Sequence, residues 1–218
     1  MSSVSPQSQD TRAARRSELR LPLLAAVERM LEAGESYTEM SVERIVAEAG
    51  VSRSTFYVYF EDKGDLLEAL TEELMGQFDG LAHAIWDLPP DAGYGDVRER
   101  MAGLVATYRE HRTLMGAVVD SATYDERVRV RFGGLLAQAA AGLVEHIGAG
   151  QADGYVREGL DAEPIAAWLV WMTERGLYSL VRVADDPTTE RHVDALATVV
   201  WNTLYEGVRP GRRAEQET

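Results

Sequence analysis

Residues 41–67, SVERIVAEAGVSRSTFYVYFEDKGDLL, constrain the fold more than any other stretch of the chain. Val42, Ile45, Val46 and Ala49 recur at i, i+3, i+4 and i+7, which lays an apolar stripe along one face of a short helix. Ser41 stands where its hydroxyl can accept from a free backbone N–H of the first turn. Gly50 supplies a stop that tolerates left-handed dihedrals. Ser52 is then placed to cap a second short helix, with Phe56 and Phe60 inward at i, i+4 and Arg53, Ser54, Thr55, Tyr57 and Tyr59 on its other face. A glycine between two amphipathic helices is by itself only a helical hairpin. With a donor-rich outer face on the second helix it describes a helix-turn-helix, whose second helix enters the DNA major groove.

The combination Ala49-Gly50-Val51-Ser52, Thr55-Phe56-Tyr57, Tyr59-Phe60, Lys63 and Leu66-Leu67 resembles the signature of the TetR family of bacterial transcription regulators, over roughly residues 20–70. One departure is Val46, where the family has alanine. The resemblance implies an all-α chain, with an N-terminal three-helix DNA-binding domain and a C-terminal helical ligand-binding and dimerisation domain. It implies a homodimer through the last two helices, a palindromic double-stranded DNA operator, and repression relieved by a ligand. It also distributes roles. Ser41, with Thr38, would present the N-terminus of the second helix to phosphate. Thr55 and Tyr59 would position the recognition helix on the backbone, with Ser52, its cap, as a further DNA-binding candidate. Lys63 falls where the family places a phosphate-contacting lysine. Arg53 is the candidate for direct readout, because a guanidinium pairs bidentately with guanine O6 and N7. Ser54 and Tyr57 would add base-edge contacts.

A net charge of −14 argues at first against a nucleic-acid partner. The distribution answers this: residues 1–63 carry 8 Arg and Lys against 10 Asp and Glu, and residues 64–218 carry 14 against 26. The acidity therefore belongs to the second domain, while Arg12, Arg15, Arg16, Arg20, Arg44, Arg53 and Lys63 gather near the motif. Lys63 is the only lysine in the chain. There is no cysteine, hence no disulfide framework or thiolate site. The N-terminus has no apolar signal region, and the longest apolar run, 165–172, is too short to cross a bilayer. The expected location is cytoplasmic, with no membrane partner.

The rest of the chain reads as helices. Residues 1–16 are expected to be a disordered basic arm, residues 17–65 the DNA-binding domain, residues 66–208 the helical second domain and residues 209–218 a disordered tail. The first helix should begin near Arg20 to Pro22, and a long one should span Lys63 to Trp86 up to the Pro89-Pro90 break. In the second domain, helices are expected at about 94–110, 114–122, 125–147, 163–183 and 188–208, with a glycine-rich loop over 148–160. The apolar residues of the 163–183 helix spread wider than one stripe, so it is either a core helix or carries a second apolar face for a partner.

Thr173–Tyr178 and Trp201–Tyr205 resemble one subgroup of the family with an elongated, largely apolar ligand tunnel. That resemblance implies a small, largely apolar effector, with Met101, Leu104, Tyr108, Phe132, Leu136, Trp168, Met172, Thr173 and Trp201 as candidate lining. The subgroup's polar asparagines are absent, because Val170 and Thr173 stand in their places. Plain core packing is the competing reading for every one of these side chains. No catalytic constellation stands out: there is no G-x-S-x-G, H-E-x-x-H or P-loop, and His83, His111, His146 and His192 lack ligand spacing. No cofactor or metal is expected. The alternative is a ligand-binding or enzymatic helical protein with a vestigial helix-turn-helix.

Overall fold

The computed structural model describes residues 6–86, 88 and 92–208. Among these there is no strand, and the helices are α1 (Pro6–Glu32), α2 (Val42–Ala49), α3 (Arg53–Tyr59), α4 (Lys63–Trp86), α5 (Tyr94–Glu110), α6 (Arg112–Ser121), α7 (Glu126–Asp153), α8 (Ala162–Gly176) and α9 (Asp186–Leu204). A π-helical turn, Leu177–Val181, follows α8 directly. The chain forms two compact units. One takes in the chain up to Leu74 together with Thr113–Phe132, and the other Met75–Arg112 with the chain from Gly133.

The first unit is built on the predicted stripes. Leu23, Val27, Ile45, Phe56, Phe60, Leu66 and Leu70 are fully or almost fully buried. Removing a buried ring such as Phe56 from a core of this kind costs about 3–5 kcal/mol. Val46, the departure from the family pattern, is buried as well. The compact division differs from the break expected after residue 65. Arg127 reaches Asp62 at 3.0 Å and Arg131 reaches Glu72 at 2.7 Å, so the start of α7 joins this unit. Gly64 makes room for that link, since a Cβ there would collide with the Arg127 and Asp125 side chains.

α1 starts at Pro6, well before the expected Arg20 to Pro22, and residues 6–16, expected to be disordered, are helical. Pro6 suits a first turn, and the segment is rich in Ala, Arg and Gln, which are good helix formers without any apolar period. Pro22 lies inside the helix instead of starting it, where it leaves one backbone carbonyl without its N–H partner. The expectations for residues 1–5 and 209–218 fall outside the described residues.

In the second unit, Val97 and Met101 from α5, Leu143 and Ile147 from α7, Ala166 and Leu169 from α8, and Val200, Trp201, Leu204 and Tyr205 from α9 share one core. His146 and Tyr205 meet inside it, Nε2 to hydroxyl, at 2.7 Å. The expected loop over 148–160 is a correction. α7 continues to Asp153 and is closed by Gly154 at φ +77°, with the Tyr155 and Val156 amides donating to the Gly150 carbonyl at 2.9 and 3.0 Å. Gly150, which looks like a loop residue, is a packing residue: a Cβ there would strike Val156, which is fully buried.

Candidate nucleic-acid interface

The turn between α2 and α3 is fixed by local bonds. Ser41 is extended, and its Oγ accepts the Arg44 amide at 3.3 Å. Gly50 sits at φ +68°, and the Val51 amide donates to the Val46 carbonyl at 2.9 Å, closing the helix with a left-handed cap. Ser52 then caps α3, its Oγ accepting the Thr55 amide at 3.0 Å. The same hydroxyl meets Thr55 Oγ1 at 2.7 Å and Ser54 Oγ at 2.9 Å. Ser52, Ser54 and Thr55 thus form one hydrogen-bonded hydroxyl cluster at the N-terminus of α3, the end where backbone N–H groups and the helix dipole favour an anion.

The outward face of α3 carries Arg53, Ser54, Tyr57 and Val58, all exposed, while Thr55 and Tyr59 are half-buried. Phe56 holds this face in place from beneath, with ring centroids 5.3 Å from both Tyr57 and Phe60. Val58, 52% exposed, was missed in the sequence. Its i, i+4 relation to Ser54 puts it on the same outward face of α3. Arg53 is held by a 2.7 Å ion pair to Glu43 of α2 and lies 5.6 Å from the Tyr57 ring centroid. A hydrogen bond from its own backbone N–H, and then the Arg53 guanidinium, keep the Glu43 carboxyl below its ordinary pKa.

Thr38 is exposed, its hydroxyl 2.6 Å from that of Ser36. The Lys63 ammonium donates to the backbone carbonyls of Tyr37, Thr38 and Met40 at 3.2, 2.6 and 3.2 Å.

The family described as bacterial regulatory proteins, tetR family, matches residues 23–70. The C-terminal domain of the transcriptional regulator EthR matches residues 97–206, half of the chain. The chain belongs to the TetR family. It is a DNA-binding transcription regulator with an EthR-type second domain. The HTH-type transcriptional regulator EthR of Mycolicibacterium smegmatis is 25% identical over 185 residues, 84% of each chain. The fatty acid metabolism regulator protein of Bacillus subtilis is 46% identical over 54 residues, 25% of this chain and 27% of that one. Among solved structures, a TetR transcription regulator from Haloarcula marismortui superposes with TM-score 0.69 at 21% identity, covering 86% of this chain and 99% of that one. FadR from Bacillus subtilis, in complex with stearoyl-CoA, does so with TM-score 0.63 at 19% identity, covering 83% and 96%. These two share the TetR-family fold.

The candidate ligand residues of this TetR-family chain differ in burial. Met101 and Trp201 are in the closed core with Leu104 against it, and Tyr108, Phe132 and Leu136 are also buried. Trp168 is 76% exposed, on the side of α8 opposite Ala166 and Leu169. Met172 and Thr173 line an apolar cleft with Val105, Leu177, Leu196 and Val199, about 550 Å³ including the space open to solvent. The signal that could separate these fates is the double periodicity of α8, which sequence reasoning noted without assigning either face. No group of three or more His, Cys, Asp or Glu able to hold a metal occurs among the described residues. Nor is any described helix long and apolar enough to cross a membrane.

Proposed function

We propose that the chain is a ligand-responsive repressor that acts as a homodimer on a two-fold DNA operator. The observation that carries the reading is the outer face of α3. A buried Phe56–Phe60 pair and a capped N-terminus hold Arg53, Ser54, Tyr57 and Val58 outward as one rigid, donor-rich surface. Base contacts by these side chains would specify sequence, and hydroxyls and helix termini on phosphate would set register.

The dimer is supported by the second unit. Trp168, Trp171, Met172, Leu180, Val183 and Val199 are 40–76% exposed on α8, its π-helical extension, the turn after it and α9. Large apolar side chains gathered on one pair of helices mark an interaction surface more often than free surface, and two copies on a dyad would read two half-sites about one helical turn apart. A small, largely apolar effector would take the apolar cleft lined by Val105, Thr173, Leu177 and Leu196. It would shift the population of operator-competent dimers only through unequal affinity for the two states. Neither role requires a cofactor, and a DNA target places the protein in the cytoplasm.

The test is selection from a random-sequence duplex pool with purified protein. An enriched, two-fold symmetric site supports the reading. A pool that stays random after selection, with weak and salt-sensitive binding to every duplex, contradicts it.

A further inference from the structure

We infer that the effector of the apolar cleft is an amphiphilic amine, an apolar body with one ammonium group, and that Glu174 is the side chain that neutralises it. The inference rests on the ligand-responsive reading above and adds the chemical class of the ligand. It stands on two features of the second unit. The first is the cleft, whose only polar side chains are those of Thr173 and His192. No Asp, Glu, Lys or Arg lines it. Apolar surface of this kind holds the body of a ligand, and a small number of polar groups fixes its orientation.

The second feature is Glu174. Thr173 precedes it and Leu177 follows one helical turn later; both line the cleft, so Glu174 leaves α8 at the edge of that wall. The residue is 7% exposed, and neither carboxylate oxygen has a hydrogen-bond partner among the described residues. Arg175 stays beyond hydrogen-bond reach, at 3.7 Å, and its half-exposed guanidinium lies 5.3 Å from the Tyr178 ring centroid. A buried carboxylate is costly unless charge and donors meet it. Filling space needs no carboxylate, and Ala166 and Leu169 do that earlier on the same helix. An ammonium supplies both missing items, a positive charge and three N–H donors. A carboxylate ligand would meet like charge, and a neutral alcohol would leave Glu174 without a counter-charge.

The experiment titrates purified protein with n-octylammonium, 1-octanol and octanoate, probes of one chain length and three head groups. Affinities come from isothermal titration calorimetry at pH 7 and constant ionic strength. Wild type should bind n-octylammonium at least about tenfold more tightly than 1-octanol, because a hydrogen bond to a charged group is among the strong ones. Octanoate should bind more weakly than either. In Glu174→Gln the affinity for n-octylammonium should fall to that for 1-octanol. Glu163→Gln removes an equal charge from an exposed position of the same helix and should keep the wild-type preference. That control separates a seated ammonium from general attraction to a chain of net charge −14.

Equal wild-type affinity for the ammonium and the alcohol overturns the inference and leaves the cleft as an effector site. A preference that survives Glu174→Gln, or that Glu163→Gln abolishes equally, overturns it too. Saturable binding of none of the three probes overturns the cleft as an effector site and the inference with it, and leaves the DNA reading untouched. If Glu174→Gln does not fold, the wild-type preference is judged together with Leu196→Trp, which fills the cleft from α9. Leu196→Trp should weaken n-octylammonium at least about tenfold, as loss of the apolar seat requires. Wild-type affinity in that variant places the ammonium elsewhere and refutes the inference.

Discussion

At the scale of single residues, Glu174 is the least comfortable group in the second unit. Its side chain is 6% exposed, on the inward stripe of α8, and the nearest cation is Arg175 Nε at 3.7 Å. Neither carboxylate oxygen has a hydrogen-bond partner among the described residues. Burial therefore pushes its pKa up, against a smaller opposing pull from Arg175. A carboxyl whose folded pKa exceeds its unfolded value weakens the fold when ionised, and the penalty is relieved as pH falls through the folded pKa. Glu174→Gln should accordingly raise the melting temperature by a few degrees at pH 7, equivalent to about 1 kcal/mol or more. The gain should shrink as pH is lowered toward 5, as thermal melts across that range will show. Trp168 and Trp201 make a related point. One is 76% exposed and the other 5%, yet both were read as pocket candidates. Residue type and helical spacing reveal that a helix has two apolar faces, not which one meets the core.

At the scale of elements, the helices with local punctuation were legible. The α2–α3 turn and the span of α4 emerged as expected, because Ser41, Gly50 and Ser52 make their bonds within four residues. The elements that depend on distant partners were not. α7 runs on through Gly148 and Gly150, and at Gly150 Val156 packs where a Cβ would otherwise sit, a requirement that helix propensity does not encode. The attachment of α7 to the first unit rests on Arg127, which bonds both Asp62 and Asp125. Burial opposes ionisation of both aspartates. Hydrogen bonds from the Asp65 amide and Arg127 at Asp62, and from Arg127 and its amide at Asp125, outweigh it and hold both carboxyls below their ordinary pKa. Depressed carboxylates stabilise the fold above the unfolded pKa, near 4, and that contribution is lost as pH falls through the folded values. Arg127→Ala should cost about 1 kcal/mol at pH 7, discounted for a half-exposed network. Because it brings both carboxyls back toward their unfolded pKa, the difference from wild type should narrow below pH 4, which denaturant titrations at pH 7, 5 and 3.5 will register.

At the scale of the whole molecule, the proposed reading surface lies on α3 and the proposed assembly surface on α8, its extension and α9. The second can be tested alone. Val183→Glu, at a position already 76% exposed, leaves the core untouched. It should convert a dimer into monomers in sedimentation or light scattering with little change in melting temperature, and weaken operator binding by a hundredfold or more through loss of the second half-site. A monomeric wild type would remove the assembly argument. The central claim is that α3 reads DNA sequence, and anisotropy titration of wild type and Arg53→Ala on the selected duplex and on a scrambled one measures it most directly. The account predicts that Arg53→Ala loses about 1–3 kcal/mol per half-site on the selected duplex. On the scrambled duplex it should lose much less, so that the preference between the two collapses. Equal losses on both duplexes would make Arg53 a phosphate contact, and no loss on either would contradict the reading surface altogether.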